Sequence, residues 1–169
     1  MATGNAPIAS VEGAGTANVQ RLFEEAIARW QEAGLRVAGL VEETHGLPGR
    51  VCSAGILRGI GSGRPYSIYL EIPPAGKTCH VDANGAETAG TSVLDEIAAC
   101  DLVVLSKFGK LEAGNRGLIG AFEAAITAQK PVLTSVSEKH RAAWRAFAPE
   151  AVVLPPRIEA IEAWLANRR

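Results

Sequence analysis

The feature that most constrains the fold is a strand–turn–helix–strand succession in the first quarter of the chain. Pro7-Ile8-Ala9-Ser10-Val11 is short and apolar, as a buried strand is, and Glu12-Gly13-Ala14-Gly15-Thr16 reads as a turn. Val19, Leu22, Phe23, Ala26, Ile27 and Trp30 then recur at helical spacing. That predicts a helix over about residues 17–33, with Thr16 or Asn18 able to cap it and Gly34 at C′. Residues 35–41 are a second strand. Together these pieces make a βαβ unit, which demands a parallel pair with a helix laid over it.

Between residues 44 and 89 the pattern changes. No helical period survives there, and β-like pieces at 51–60, 66–72 and 77–81 are separated by Gly and Pro. The expectation is an antiparallel, hairpin-like insertion at one edge or over one face of the sheet. Residues 91–100 return to helix. A strand at 102–105, a helix from near Gly117, a strand at 130–136, a helix from Ser137, a strand at 151–154 and a final helix at 156–169 follow. Pro131 is tolerable because it stands at the start of its strand. The alternation predicts one three-layer α/β domain over residues 7–169, mainly parallel and Rossmann-like, behind a disordered N-terminus of residues 1–6.

Composition narrows the function classes. Apolar residues make up 47% of the chain but aromatic ones only 5%, so the core is aliphatic and suits helices packed on a sheet. With 17 basic against 18 acidic residues there is no overall field to draw nucleic acid or an acidic membrane, and any anion site must be local. The first ten residues lack a basic region followed by an apolar one, so no signal peptide is expected. No apolar run approaches ~18 residues, so no membrane span is expected. Cys52, Cys79 and Cys100, odd in number and far apart, are expected as reduced thiols, which fits the cytoplasm.

Function is sought in residues 101–117, DLVVLSKFGKLEAGNRG. Leu102-Val103-Val104-Leu105 reads as a strand buried on both faces, and ligands of open α/β sheets sit beyond the carboxyl ends of such strands. The loop that follows gathers Lys107, Lys110 and Arg116, with Glu112 its only carboxylate. The turn 12–18 stands where nucleotide-binding folds hold phosphate, on glycine backbone and a helix N-terminus. Yet Thr16 occupies the place of the phosphate-binding Lys and Ala17 that of the Mg²⁺-binding hydroxyl, and Asn18 spoils the dinucleotide pattern. The central strand ends in Ser106-Lys107 where an acidic residue would recruit Mg²⁺. A plain tight turn and a set of solvated loop charges paired with Glu112 are the alternative account. Cys79 and His80 point to opposite faces if they lie on a strand, and no paired-ligand spacing accompanies them, so no metal site is expected.

Several stretches are similar to a bacterial domain-of-unknown-function family, number 2478. They are Gly34-Leu35-Arg36-Val37-Ala38-Gly39-Leu40-Val41, Cys79-His80-Val81-Asp82, Asp101-Leu102-Val103-Val104, Pro131-Val132-Leu133-Thr134 and Trp144-Arg145-Ala146-Phe147. The most specific is Lys107-Phe108-Gly109-Lys110-Leu111-Glu112. Ser106 departs from the family's usual Asn, and residues 61–76 are only loosely similar. The resemblance implies a fold related to the P-loop nucleoside-triphosphatases and a genomic setting beside molybdenum-transport or nitrogenase genes.

Residues and resemblance together lead to a degenerate P-loop-like protein that binds an anion without a catalytic residue or a metal. Its ligand-binding residues are Gly13, Gly15, Thr16, Lys107, Lys110, Glu112 and Arg116. The ligand is a nucleotide phosphate or, by the resemblance, an oxyanion such as molybdate, in an accessory role with a protein partner in molybdenum or nitrogenase metabolism. One alternative is a weak nucleoside-triphosphatase using Lys107 or Lys110, with Glu112 on Mg²⁺ or water. The other is an interaction module in which the β insertion docks on a partner.

Overall fold

The computed structural model describes residues 6–49 and 54–167. Its elements are β1 (Ile8–Val11), α1 (Thr16–Glu32), β2 (Val37–Thr44), β3 (Ala54–Gly59), β4 (Pro65–Ser67), α2 (Ala83–Ser92), α3 (Leu94–Ala99) and β5 (Leu102–Leu105). They continue with α4 (Lys110–Ala113), α5 (Ile119–Thr127), β6 (Val132–Ser135), a 3₁₀ turn at Glu138–His140, α6 (Arg141–Phe147), β7 (Val152–Leu154) and α7 (Ile158–Ala166). The expected disordered N-terminus lies outside the described residues except for Ala6, as do Cys52, the start of the 51–60 piece and the end of the last helix.

One sheet runs in the order β4-β3-β2-β5-β6-β1-β7. The five strands from β2 to β7 pair in parallel, and β3 and β4 add an antiparallel hairpin at the β2 edge. Side chains alternate across the sheet, and the alternation sorts the core into two layers. Leu102 and Val104 join residues of α1 and α7, such as Phe23 and Trp164, on one face. Val103 and Leu105 join α2, α3, α5 and α6 on the other, around Ile97, Phe122 and Trp144. All four residues of β5 are fully buried, as a central strand's should be. The three-layer, mainly parallel α/β architecture is therefore present, with the insertion at an edge.

Four local expectations need correction. Strands β1 and β5, which would be neighbours if the turn 12–18 and the loop after β5 were to lie side by side as in related P-loop folds, are separated by β6. Residues 77–81 form no strand and contribute only an antiparallel bridge from Val81 to Tyr69. The loop after β5 contains a short helix, α4. Finally, helix begins at Ala83, well before residue 91. Helix α2 has no large apolar stripe: Ala86, Ala89 and Gly90 are its buried residues. Those small side chains let it lie against the start of α5, where a Cβ on Gly90 would make ordinary contact with Gly117 O and Leu118 Cδ2 at 3.5 Å.

A far tighter approach operates inside the sheet. Gly39, in the middle of β2, has φ +123°, and a Cβ there would meet Val104 O at 1.9 Å. Only glycine allows β2 and β5 to pair through that point.

Candidate functional site

Helix α1 follows β1 on one face, while α6 follows β6 on the other. Neighbouring parallel strands whose connections leave in opposite directions open a crevice at their carboxyl ends. A cleft of about 610 Å³ occupies that position. Val11, Ala14 and Thr16 line it from β1, Glu42 from β2, Ser106–Glu112 from β5, and Ser135, Ser137 and His140 from β6. Although β6 separates β1 from β5, the turn and the cationic loop reach one space. The far wall is apolar and comes largely from the insertion, through Leu57, Ile68, Leu70 and Val81.

The turn holds its shape by internal bonds. Gly13 takes φ +93°, and the Glu12 amide donates to Leu154 O at 3.2 Å. The buried Glu12 carboxylate accepts from Arg141 Nε at 2.6 Å and from Ser10 Oγ at 3.3 Å. Gly15, in extended conformation, is the N-cap of α1, where Thr16 or Asn18 was expected. No side chain caps the helix and its first turn carries no acid, while Asn18 Oδ1 accepts from Arg21 instead. The Asn18 amide donates to Gly15 O at 3.1 Å, while the preceding amides and the positive dipole end of this seventeen-residue helix lie beside the cleft with no side-chain cap among the described residues.

Aromatic packing positions the cations. Phe108 is buried, with its ring centroid 5.8 Å from Phe122, 5.2 Å from Trp144 and 5.5 Å from Phe147. Its amide donates to Ser135 O at 2.9 Å, continuing the sheet for one more bond. Lys107 precedes this anchor and Lys110 follows it, and both line the cleft. Lys107 Nζ stands 3.4 Å from Glu42 Oε2, whereas Lys110 makes no ion pair with any described residue. Arg116 reaches the rim, but its guanidinium is paired with Glu87 and also donates to Asn84 Oδ1 at 3.3 Å.

Glu112 lines the cleft with both oxygens engaged. Oε2 accepts from the Gly109 amide and Oε1 from the Leu118 amide, each at 2.9 Å. Burial pushes its carboxyl above the ordinary range, against the opposing pull of those amides and of Lys107. The Leu118 amide at the N-terminus of α5 is therefore already taken by Glu112. Cys79 and Asp82 line the cleft. His80 instead stacks on Tyr69 and places Nδ1 2.6 Å from Leu70 O. No group of three His, Cys, Asp or Glu side chains lies together among the described residues.

Two residues that matter here were not among the sequence candidates. His140 lies in the cleft with Nδ1 3.0 Å from Ser137 Oγ. Burial lowers its pKa, and Lys107, Lys139 and Lys110 lower it further, so the imidazole faces several cations at once. Glu42 is buried on β2 and one of its oxygens has no hydrogen-bond partner among the described residues. Its signal was an acidic residue breaking an apolar run at the carboxyl end of a parallel strand. Strand β2 extends to Thr44, three residues past the expected end, and so includes Glu42.

The sequence profile of the family described as "Protein of unknown function (DUF2478)" matches residues 8–164. The chain is 36% identical over 135 residues to the protein named molybdenum import ATP-binding protein ModC 2 of Bradyrhizobium diazoefficiens. That match covers 78% of this chain and 15% of the relative. A second similarity, 31% over 62 residues, is to the nucleoside-triphosphatase THEP1 of Methanosarcina acetivorans, covering 37% of this chain and 35% of the relative. The chain thus spans well under half the length of both. No helix among the described residues is long and apolar enough to cross a membrane.

Proposed function

The chain belongs to that family, and from its cleft we propose that it binds the phosphate of a nucleotide, or a comparable oxyanion, without hydrolysing it efficiently. One observation carries this reading: Lys107, Lys110, His140 and the uncapped start of α1 face one cleft whose positive charge is only partly offset. An anion there gains charge-assisted hydrogen bonds and relieves repulsion among the cations. The apolar wall of Leu57, Ile68, Leu70 and Val81 favours a ligand with an organic part, such as a base, over a bare oxyanion.

Slow chemistry is the expected companion of binding. The turn has no lysine, and Ser106 ends the central strand where a metal-holding acid would stand. Glu112, the acid that a displaced-lysine triphosphatase would use, has both oxygens taken by backbone amides. An accessory role in molybdenum or nitrogenase metabolism, with a protein partner, is the setting we propose for this binding; of it, only molybdenum has a counterpart in the name of the molybdenum-import relative. The interaction module built on the insertion is the competing account.

The test is equilibrium titration of ATP, GTP, inorganic phosphate and molybdate, with phosphate release followed in the same samples. Saturable binding with negligible release is the expected result. Turnover on the order of 1 s⁻¹ would establish a triphosphatase instead. Absence of saturable binding to all four would favour the interaction module.

A further inference from the structure

Glu42 lines the cleft, yet its side chain is only 2% exposed. Oε2 faces Lys107 Nζ at 3.4 Å, and Oε1 has no hydrogen-bond partner among the described residues. The Glu42 amide donates to Gln20 Oε1 at 3.1 Å, which sets the orientation of that side-chain amide and leaves Gln20 Nε2 also unpartnered. A buried carboxylate oxygen without a donor is costly, so a ligand that brings a donor is favoured at this spot. A divalent cation is the other class of occupant. The Lys107 ammonium beside the carboxylate opposes it, and no second acidic ligand accompanies Glu42 in a cluster among the described residues.

We propose that Glu42 is the selectivity residue of the anion site: it accepts a hydrogen bond from a protonated ligand oxygen, so the cleft takes a phosphate monoester or hydrogen phosphate and refuses fully deprotonated oxyanions. This rests on the anion-binding reading above. Lys107, Lys110 and the start of α1 attract every oxyanion alike. The Glu42 carboxylate can only accept, so it repels a bare O⁻ and is satisfied by P–OH. A phosphate monoester has its second pKa at about 6 and keeps a protonated fraction near neutrality. Sulfate and molybdate carry no proton there.

The experiment titrates inorganic phosphate, sulfate and molybdate into the full chain at about pH 6.5, where phosphate is partly protonated, with EDTA present, then repeats the series with added Mg²⁺. Both wild type and Glu42→Gln are measured, and the melting temperature of each is recorded. Wild type should prefer phosphate by at least about tenfold, and Glu42→Gln should bring the three anions within about threefold of one another. The wild-type comparison needs no variant and stands even if Glu42→Gln folds poorly. Equal wild-type affinities, or a preference that survives in a folded Glu42→Gln, would overturn the selectivity role while leaving the anion site intact. Phosphate binding that appears only with Mg²⁺ would overturn it in favour of a cation on Glu42. No saturable binding of any anion under either condition would overturn both the selectivity role and the site.

Discussion

The Leu118 amide donates to Glu112 Oε1 at 2.9 Å, closing the loop between α4 and α5. With the Gly109 amide on its other oxygen, Glu112 clamps both ends of the segment that carries Lys110 and Arg116. Gly117 must be glycine for this closure: it has φ +64°, and a Cβ would meet Glu112 Oε1 at 2.5 Å.

Removing the clamp strands two buried amides, so Glu112→Ala should cost roughly 2–4 kcal/mol of stability. Because burial raises the Glu112 pKa, the folded state holds the proton above the ordinary value of 4.5. The stability that Glu112 contributes is full below that value and declines as pH rises through the raised one. Urea unfolding of wild type and Glu112→Ala across that window should therefore show the gap between them narrowing as pH increases. A gap that widens would contradict the clamp's buried, proton-retaining character.

Gly39→Ala should abolish soluble expression or cost several kcal/mol, because its Cβ would meet the carbonyl of Val104 and neither backbone can yield. Gly120 is the control. It lies in α5 with nothing within 4 Å of an added Cβ, so Gly120→Ala should be neutral or stabilise by up to about 1 kcal/mol. Thermal melts of both variants check the pair.

His140 reports on the cleft. Burial first, then Lys107, Lys139 and Lys110, hold its pKa below the ordinary 6.5. The unfolded chain accordingly binds more protons in the window below 6.5, and stability is lost as pH falls through the folded value. An anion seated by Lys107 and Lys110 should raise the His140 pKa. Proton NMR titration of the imidazole with and without phosphate measures this directly, and an unchanged value at saturating ligand would place the anion elsewhere.

The architecture was legible because its signals are periodic: the helical spacing from Val19 to Trp30, and the apolar run of β5 between polar neighbours. Helix α2 was not, since Ala86, Ala89 and Gly90 bury a face without the large side chains that reveal a period. The loop cations were visible as composition, and Lys107 and Lys110 do line one cleft with Thr16. Which carboxylate has an oxygen to spare was not visible. Glu112 stands among the cations in sequence but bonds to backbone, whereas Glu42, sixty-five residues before Lys107 by numbering, meets it through the pairing of β2 with β5. Pairing across strands brings such residues together, and sequence proximity carries no trace of it.

If the cleft holds an anion by its cations, Lys110 offers the cleanest test. Lys107→Ala would leave Glu42 buried without its ion-pair partner, whereas Lys110 makes no ion pair with any described residue. Calorimetric titration of ATP and of inorganic phosphate into wild type and Lys110→Ala, at several salt concentrations, is the decisive measurement. Wild type should show saturable binding that weakens with salt, and Lys110→Ala roughly tenfold weaker binding at an unchanged melting temperature. Equal affinities in the two proteins, or no saturable binding in wild type, would contradict the anion site.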